Sequence, residues 1–555
     1  MELVEIRDLD GPNYFLLEPA IKLELRVERA DLTGDALGNL ARRLEPLGLS
    51  DDPLGQESDS LGDLLMAATV SLHQRADQPE PTLRWTELDS PNHVALVFTW
   101  QRRRFALAVA KLVAGLATGG EIDVLAEAHN LTTLLGDDDA GDRPKLLKDD
   151  DRTIPIIGVT GTNGKTTTTR LIAHILRSTG KRVGWTSTVG VMIEGEMVLE
   201  GDYTGPAGAW RVIDEPNLDV AVLETARGGI LLRGLAYESN DIGILTNISG
   251  DHLGLHGIET VESLAEVKAT VVRVTRSSGY AVLNADDPLV RAVSSTPRAP
   301  IFWVTQEPEN RTVSAHVAAG GRALVVRDQS IWHLQGDDEE ALIEVSEMPI
   351  AWGGRARHMI ENTLCAAAAC YGVGLNREQI APALKSFGTE PDHNPGRLHI
   401  YAVDGATVLI DYAHNEVGLR HLLDLAQGFR AEGGRLTAII GTAGDRTDDA
   451  LRELGRLAAT MADRVLVKET HRYLRGRGSV FEMNELFAEG IAAGGNTPAE
   501  IAPDELAAID LALRDLAAGD VVAMMCIEDG PVVRERVSQV GRLITKPTLP
   551  PQASS

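Results

Sequence analysis

The stretch IPIIGVTGTNGKTTTTRLIAHILRSTG, residues 154–180, decides the fold. Its first part, IPIIGVT (154–160), is a short apolar run rich in β-branched residues, which reads as a buried strand. A glycine turn follows, and then TTTTRLIAHILRSTG carries a helical period. Strand, glycine turn and helix in that order build a phosphate cradle, because glycine permits the tight turn and successive backbone N–H groups then face an anion at the helix N-terminus. Gly161, Thr162, Asn163, Gly164, Lys165, Thr166 and Thr167 form the loop. Lys165 would reach the β/γ-phosphates of ATP and the Thr166 hydroxyl would ligate Mg²⁺. The strict pattern wants a glycine where Val159 stands, and Gly158 lies one residue early. A glycine turn without nucleotide is the competing reading, and the flanking strand and helix weigh against it.

Working outward, further strand-like runs follow at RVGWTSTV (182–189), LDVAVLET (218–225), DIGILTNI (241–248), GYAVLNA (279–285) and APIFWVT (299–305). Helical stretches separate several of them, which predicts an α/β central domain with a mostly parallel sheet over 154–394. NTLCAAAACYG (362–372) reads as an alanine-rich helix. A second set, TVLIDYA (407–413), LTAIIGT (436–442), RVLVKET (464–470), AEIAPDE (499–505) and DVVAMMC (520–526), predicts a Rossmann-like α/β C-terminal domain over 395–545. KPTLPPQASS, from 546 to 555, reads as a loose tail. Upstream, LLGDDDAGDRPKLLKDDDRT (134–153) breaks any amphipathic period and reads as an exposed linker. Before it, residues 1–133 mix the strand-like IKLELRV (21–27) and HVALVFTW (93–100) with the helical FALAVAKLVAGLA (105–117), a smaller α+β domain.

Composition bounds the function. At about 150 residues per domain, 555 residues suggest three or four domains. Acidic residues number 81 against 53 basic, a net charge of −28, which argues against nucleic acid or an anionic membrane as partner. Three cysteines supply neither a disulfide framework nor a four-cysteine zinc site. The start, MELVEIRDLD, is too charged for a signal peptide and no apolar run is long enough to span a membrane, so a cytoplasmic location is expected.

Two other segments could carry chemistry. LETARGG (223–229) ends a strand at Glu224, placing a carboxylate at the carboxyl edge of the sheet, where open α/β sheets bind ligands. TNISGDHLGLHG (246–257) also follows a strand and offers Asp251, His252 and His256. Alone, each reads equally as solvated loop chemistry, and Lys268 in LAEVKATVV reads as a surface lysine on a helix.

Together, TGTNGKTTTT, LETARGG, NISGDHLG, the lysine helix and LNADD (283–287) resemble the ATP-binding domain of the Mur ligases. PGRLHIY (395–401), IDYAHN (410–415) and GTAGDR (441–446) resemble the C-terminal domain of that family. Within it, YTGPAG (203–208), ETARGGILLRGL (224–235), RGRG (475–478) and GPNYFLLEPAIKLELRV (11–27) are most similar to cyanophycin synthetase and its Mur-like module. The resemblance implies a P-loop central domain of Mur-ligase type and ADP-forming amide ligation through an acyl phosphate. Catalysis would rest on Lys165, Glu224, His252 and Lys268. Two Mg²⁺ sites are implied, Thr166 with Glu224 and Glu224 with His252, the second helped by Lys268, which matches a position carbamylated in many Mur ligases. Asn284 and Asn362 would lie near the nucleoside, and Arg397 and Asp411 would close over ATP. Thr204, Arg227, Arg233, His414, Asn415, Asp445 and Arg446 would face the substrates, a small-molecule or peptide acid and an amino acid.

Three departures stand out. His358-Met359 replaces the usual His-Asn or Phe-Asn, which removes one polar contact near the nucleotide. Glu416 follows IDYAHN where proline is common. No ATP-grasp module separates the shortened N-terminal segment from the phosphate loop, so aspartate-chain elongation is not expected here. A folylpolyglutamate-synthase-like or cell-wall-type ligase, a silent subunit serving a separate ATP-grasp protein, and a homo-oligomer all remain open at this level.

Overall fold

Alternating apolar and charged residues near the N-terminus build an antiparallel sheet from β1 (Glu2–Leu9), β2 (Ala20–Arg26), β3 (Leu83–Glu87) and β4 (His93–Thr99), in spatial order β1-β2-β4-β3. Residues 1–49, 61–120, 123–135, 140–250, 253–495 and 498–545 are described by the computed structural model of the chain. Ile21, Leu23, Leu25, Leu96 and Phe98 point to one face of this sheet and bury against the helices Gly34–Leu44, Leu61–Arg75 and Arg103–Thr118.

The second sheet has eleven strands. In chain order they are β5 (Ile156–Thr160), β6 (Val183–Ser187), β7 (Gly190–Ile193), β8 (Glu196–Glu200), β9 (Val220–Glu224) and β10 (Asn240–Leu245), then β11 (Thr275–Asn284), β12 (Ile301–Thr305), β13 (Arg322–Arg327), β14 (Ser330–Gln335) and β15 (Asp338–Glu344). The order across the sheet is β15-β14-β13-β12-β11-β10-β5-β9-β6-β7-β8. Strands β13 to β6 in that order are parallel, and the apolar runs predict all of them but β13. The antiparallel β7–β8 and β14–β15 that extend the two ends do not stand out in the sequence. Strand β5 lies centrally between β9 and β10, and the helix Lys165–Ser178 leaves its carboxyl end. Leu171, Ile172, Ile175 and Leu176 bury that helix against the sheet, anchoring a start made of four threonines that would otherwise disfavour helix.

The third sheet contains β16 (His399–Val403), β17 (Ala406–Asp411), β18 (Leu436–Ile440), β19 (Arg464–Lys468), β20 (Ala499–Ala502), β21 (Val521–Met525) and β22 (Arg542–Ile544). Its order is β20-β19-β18-β21-β17-β16-β22, with β20 to β17 parallel. The strand expected over 499–505 stops at Ala502, because the Asp504 carboxylate accepts from the Ala507 N–H at 2.7 Å and starts the helix Glu505–Arg514.

One expectation is corrected. The described part of the 134–153 linker keeps Gly141, Arg143, Lys145, Lys148, Asp150, Asp151 and Thr153 exposed but is docked along one side: Leu147 exchanges backbone hydrogen bonds with Ala236 and Glu238 at 2.9 Å. Arg152 is buried against Asp241 and donates to the Ser239 carbonyl at 2.8 Å. The N-terminal sheet touches the second sheet's loops at two points. The Asp10 N–H donates to the Arg233 carbonyl and the Leu235 N–H to the Pro12 carbonyl, each at 2.8 Å. Asp89 accepts from the Glu259 N–H (2.9 Å) and the Ser263 hydroxyl (2.8 Å), bracing the start of the helix Val261–Arg273 that carries Lys268, whose N-cap is Thr260.

Candidate active site

In register, Val159 pairs with Glu224 and Thr160 with Leu245, so the glycine loop, Glu224 and the segment after β10 emerge side by side at the carboxyl edge of the sheet. Gly161 and Gly164 adopt φ of 148° and 84°. A Cβ on Gly161 would strike the Thr246 hydroxyl, and one on Gly164 the Asn362 amide oxygen, so both positions require glycine. Asn247 holds the loop open: its carbonyl accepts from the Thr162 N–H at 2.8 Å and its side-chain oxygen from the Asn163 N–H at 2.9 Å.

A cavity of about 520 Å³ opens over this edge, walled on its far side by the third sheet's loops. Lys165, Thr166, Glu224 and Lys268 all line it. The Lys165 ammonium donates to the Gly161 (3.1 Å) and Thr162 (2.8 Å) carbonyls, and that of Lys268, a buried side chain, to the Gly161 carbonyl at 2.6 Å. Glu224 is 2% exposed; Oε1 accepts from the Thr166 hydroxyl at 3.2 Å, while Oε2 is buried with no hydrogen-bond partner among the described residues. Burial pushes the Glu224 carboxyl up, against the pull of the Lys165 and Arg397 charges and the Thr166 hydrogen bond. A buried carboxylate oxygen without a partner, beside a hydroxyl with lone pairs to spare, is a donor set that suits a hard divalent cation. His252, expected to complete it, and Asp251 lie outside the described residues.

The third sheet contributes Arg397, His414, Asp445 and Arg446 to the same cavity. The Arg397 guanidinium lies 4.3 Å from the Tyr412 ring centre and donates to the Thr166 and Thr188 hydroxyls at 3.4 Å. Asp411 does not reach this cavity; it accepts from the Leu398 N–H at 2.7 Å and so fixes the turn that presents Arg397. Behind that turn, Arg170 donates to the Asn394 side chain (3.1 Å) and the Pro395 carbonyl (2.9 Å), tying the phosphate-loop helix to the junction between the sheets. Burial, and then the Arg397 charge, pull the Arg170 guanidinium down to about 9.

On the other side of Asn163 and Gly164 a smaller cavity, about 70 Å³, takes Asn362 and Asp411 with His358, Met359, Glu361 and His421. The His358 and His421 rings stack 5.1 Å apart. The Met359 sulfur lies 3.9 Å from the Asn362 amide nitrogen. Asn284 is buried behind Glu361. Glu361 accepts from the Asn247 amide at 2.7 Å, and burial pushes its carboxyl up to about 7.

Thr204 and Arg227 line the main cavity on the second sheet's side; the Thr204 hydroxyl donates to Asp202 at 2.6 Å. Asn415 ties the C-terminal wall to the phosphate loop instead of lining either cavity, donating to the Asn163 side chain at 3.0 Å while its oxygen caps the helix Glu416–Gln427. Arg233 is exposed and lines neither cavity; its carbonyl serves the contact with Asp10. Sequence reasoning missed Thr188, Asp202, Tyr412, Tyr473 and Arg475 as cavity residues. Arg475 had a signal in RGRG and Thr188 in its place just past a strand; Asp202 and Tyr473 had none.

A phosphate loop on a mostly parallel sheet, with another α/β sheet walling the cavity above it, defines a P-loop protein whose cavity lies between two sheets. Residues 159–370 match the family model described as Mur ligase middle domain, and residues 396–526 that of the Mur ligase, glutamate ligase domain. Between them these span more than half of the chain, which belongs to the Mur ligase family. A cyanophycin synthetase of Synechocystis sp. is 43% identical over 61% of this chain, and the chain spans 38% of that relative's length. A UDP-N-acetylmuramoyl-L-alanyl-D-glutamate--2,6-diaminopimelate ligase of Chlamydia pneumoniae is 30% identical over 54% of this chain and 59% of its own. FolC of E. coli in complex with DHPP and ADP shares the fold with a TM-score of 0.52 and 21% identity, covering 69% of this chain and 89% of its own. Among the described residues no helix is long and apolar enough to cross a membrane.

Proposed function

We propose that this chain is an ATP-dependent, ADP-forming ligase that joins a carboxylate to an amine through an acyl phosphate. The observation that carries the reading is the buried Glu224–Thr166 pair, beside Lys165, Lys268 and Arg397, in a cavity whose opposite wall belongs to another sheet. The loop N–H groups hold the ATP phosphates, and Lys165 and Arg397 neutralise charge on the transferred phosphoryl group. Arg227, the first residue of the helix Arg227–Leu232 after β9, orients the acid so that its oxygen takes the γ-phosphate and ADP leaves. An amine entering along Asp445, Arg446 and Arg475 then attacks the acyl carbon, and phosphate departs. The ties from Arg170 and Arg397 keep the two walls together and exclude water from that intermediate. Mg²⁺ bound to Thr166 and Glu224 would supply Lewis-acid charge neutralisation; His252 and Lys268, the latter carbamylated, are the candidates for a second ion. The nucleoside would lie at the smaller cavity beside Asn362 and Glu361, with Asn284 behind Glu361.

The acid in this reading is an acidic peptide or aspartyl-type carboxylate and the amine an amino acid, in the cytoplasm. Phosphate release from Mg·ATP, measured across amino acids with and without aspartyl peptides, tests it. Turnover should require one acid and one amine together and vanish in Lys165→Ala; turnover indifferent to both would reject it.

A further inference from the structure

We propose that the buried Lys468–Glu505 pair is the positioning element of the C-terminal wall of the cavity, and that through it the enzyme sets its affinity for the amine. Lys468 ends β19 and Glu505 opens the helix Glu505–Arg514 that follows β20; their side chains are fully buried with Nζ and Oε1 2.6 Å apart. The Glu505 carboxylate also accepts from three consecutive backbone N–H groups, Ile527 (2.6 Å), Glu528 (3.0 Å) and Asp529 (2.7 Å), and from the Cys526 thiol at 3.0 Å. That turn joins β21 to the helix Gly530–Ser538 at the carboxyl edge of a doubly wound sheet, where such concavities take anions. Here the chain fills it with its own carboxylate.

Three loops depend on the pair. Ile527 lines the cavity directly. Glu528 accepts from the His471 (3.3 Å) and Arg472 (2.5 Å) N–H groups, and the Arg472 guanidinium returns a bond to the Glu528 carbonyl at 3.0 Å. That fixes the start of the loop bearing Tyr473 and Arg475, and Arg475 pairs with Asp445 at 2.8 Å. The Lys468 stem runs beneath Gly441, where an added Cβ would lie 2.6 Å from Cε, so it also sets the entry to GTAGDR. A buried ion pair adds little net stability over apolar packing of the same volume; what this one adds is direction, through donors that converge on a single carboxylate.

This rests on the reading that the C-terminal wall takes the amine, and the test separates the two ideas. In the full chain, Lys468→Met and Glu505→Gln are compared with wild type for the KM of amine and of ATP, and for trypsin cleavage after Arg472 and Arg475 mapped by mass spectrometry. The expected result is an amine KM raised about tenfold or more, an ATP KM within about twofold, and faster cleavage confined to that loop. Glu505→Gln keeps the shape and one acceptor, so it serves if Lys468→Met does not fold. Unchanged amine KM with unchanged cleavage, or ATP and amine KM rising equally, overturns the proposal. Faster loop cleavage in variants of a wild type that ignores amines would keep the positioning role and reject the ligase reading.

Discussion

Replacing Glu361 by glutamine should change the pH dependence of stability around the smaller cavity. Burial pushes this carboxyl from 4.5 up to about 7, and the Asp286 and Asp287 charges add to it, while the Asn247 and Asn284 amides oppose it. An acid whose folded value is raised binds its proton more tightly in the native state. Its stabilising contribution is therefore complete below pH 4.5 and lost as pH rises through about 7. At about 1.36 kcal/mol per pH unit, that window amounts to at most about 3 kcal/mol. Glutamine keeps an oxygen for the Asn247 amide, 2.7 Å away, and has no proton to lose. For a domain of this size about 1 kcal/mol moves Tm by roughly 2–4 °C. Scanning calorimetry of both proteins between about pH 5 and pH 8.5 should then show the variant gaining on wild type by up to about 6–10 °C. Parallel Tm curves would refute the buried-carboxyl argument.

Other outcomes follow from the same geometry. Gly164→Ala forces a side chain into the left-handed region at φ 84° and against Asn362, at about 1–2 kcal/mol for the backbone alone, so nucleotide affinity by calorimetric titration should fall at least about tenfold. Unchanged affinity would mean that the loop does not hold phosphate. Asp89→Ala removes the acceptor of the Glu259 and Thr260 N–H groups and of the Ser263 hydroxyl at the start of the helix bearing Lys268 and should cost about 1 kcal/mol, read as a lowered Tm; an unmoved Tm would count against the docking of the N-terminal sheet. Arg397→Leu removes the contact with Thr166 and should raise the KM of ATP at least about tenfold with a smaller change for the amine. Equal changes in both would contradict its place over the nucleotide.

The parallel strands were legible because strands buried on both faces read as short continuous apolar runs. The phosphate loop was legible because its glycines answer to local geometry. Glu224 and Lys268 took meaning only from the company of other motifs, since a strand-end carboxylate or a helix lysine has no local signature of burial. The flanking hairpins were hidden: β8 reads EMVLE, and an exposed edge strand need show no alternation. The docking of 147–152 was hidden too, because charge runs suggest solvent while Arg152 is buried by Asp241, a partner distant in sequence. Tyr473 lies on irregular chain whose course is set by Glu528, and no period records such a contact. Arg233 misled because it continues the ARGGILLRGL pattern but is the C-cap of the helix Arg227–Leu232, of which only the start, Arg227 to Gly229, lines the cavity.

The most direct test of the central claim follows oxygen. With the acid labelled by ¹⁸O in its carboxylate and with Mg·ATP and an amine supplied, mass spectrometry of the released phosphate reports whether an acyl phosphate formed. One ¹⁸O per phosphate, with the amide product having lost that oxygen, is the predicted result. Unlabelled phosphate, with both labelled oxygens still on the acid, would contradict carboxylate activation and leave ATP hydrolysis by water.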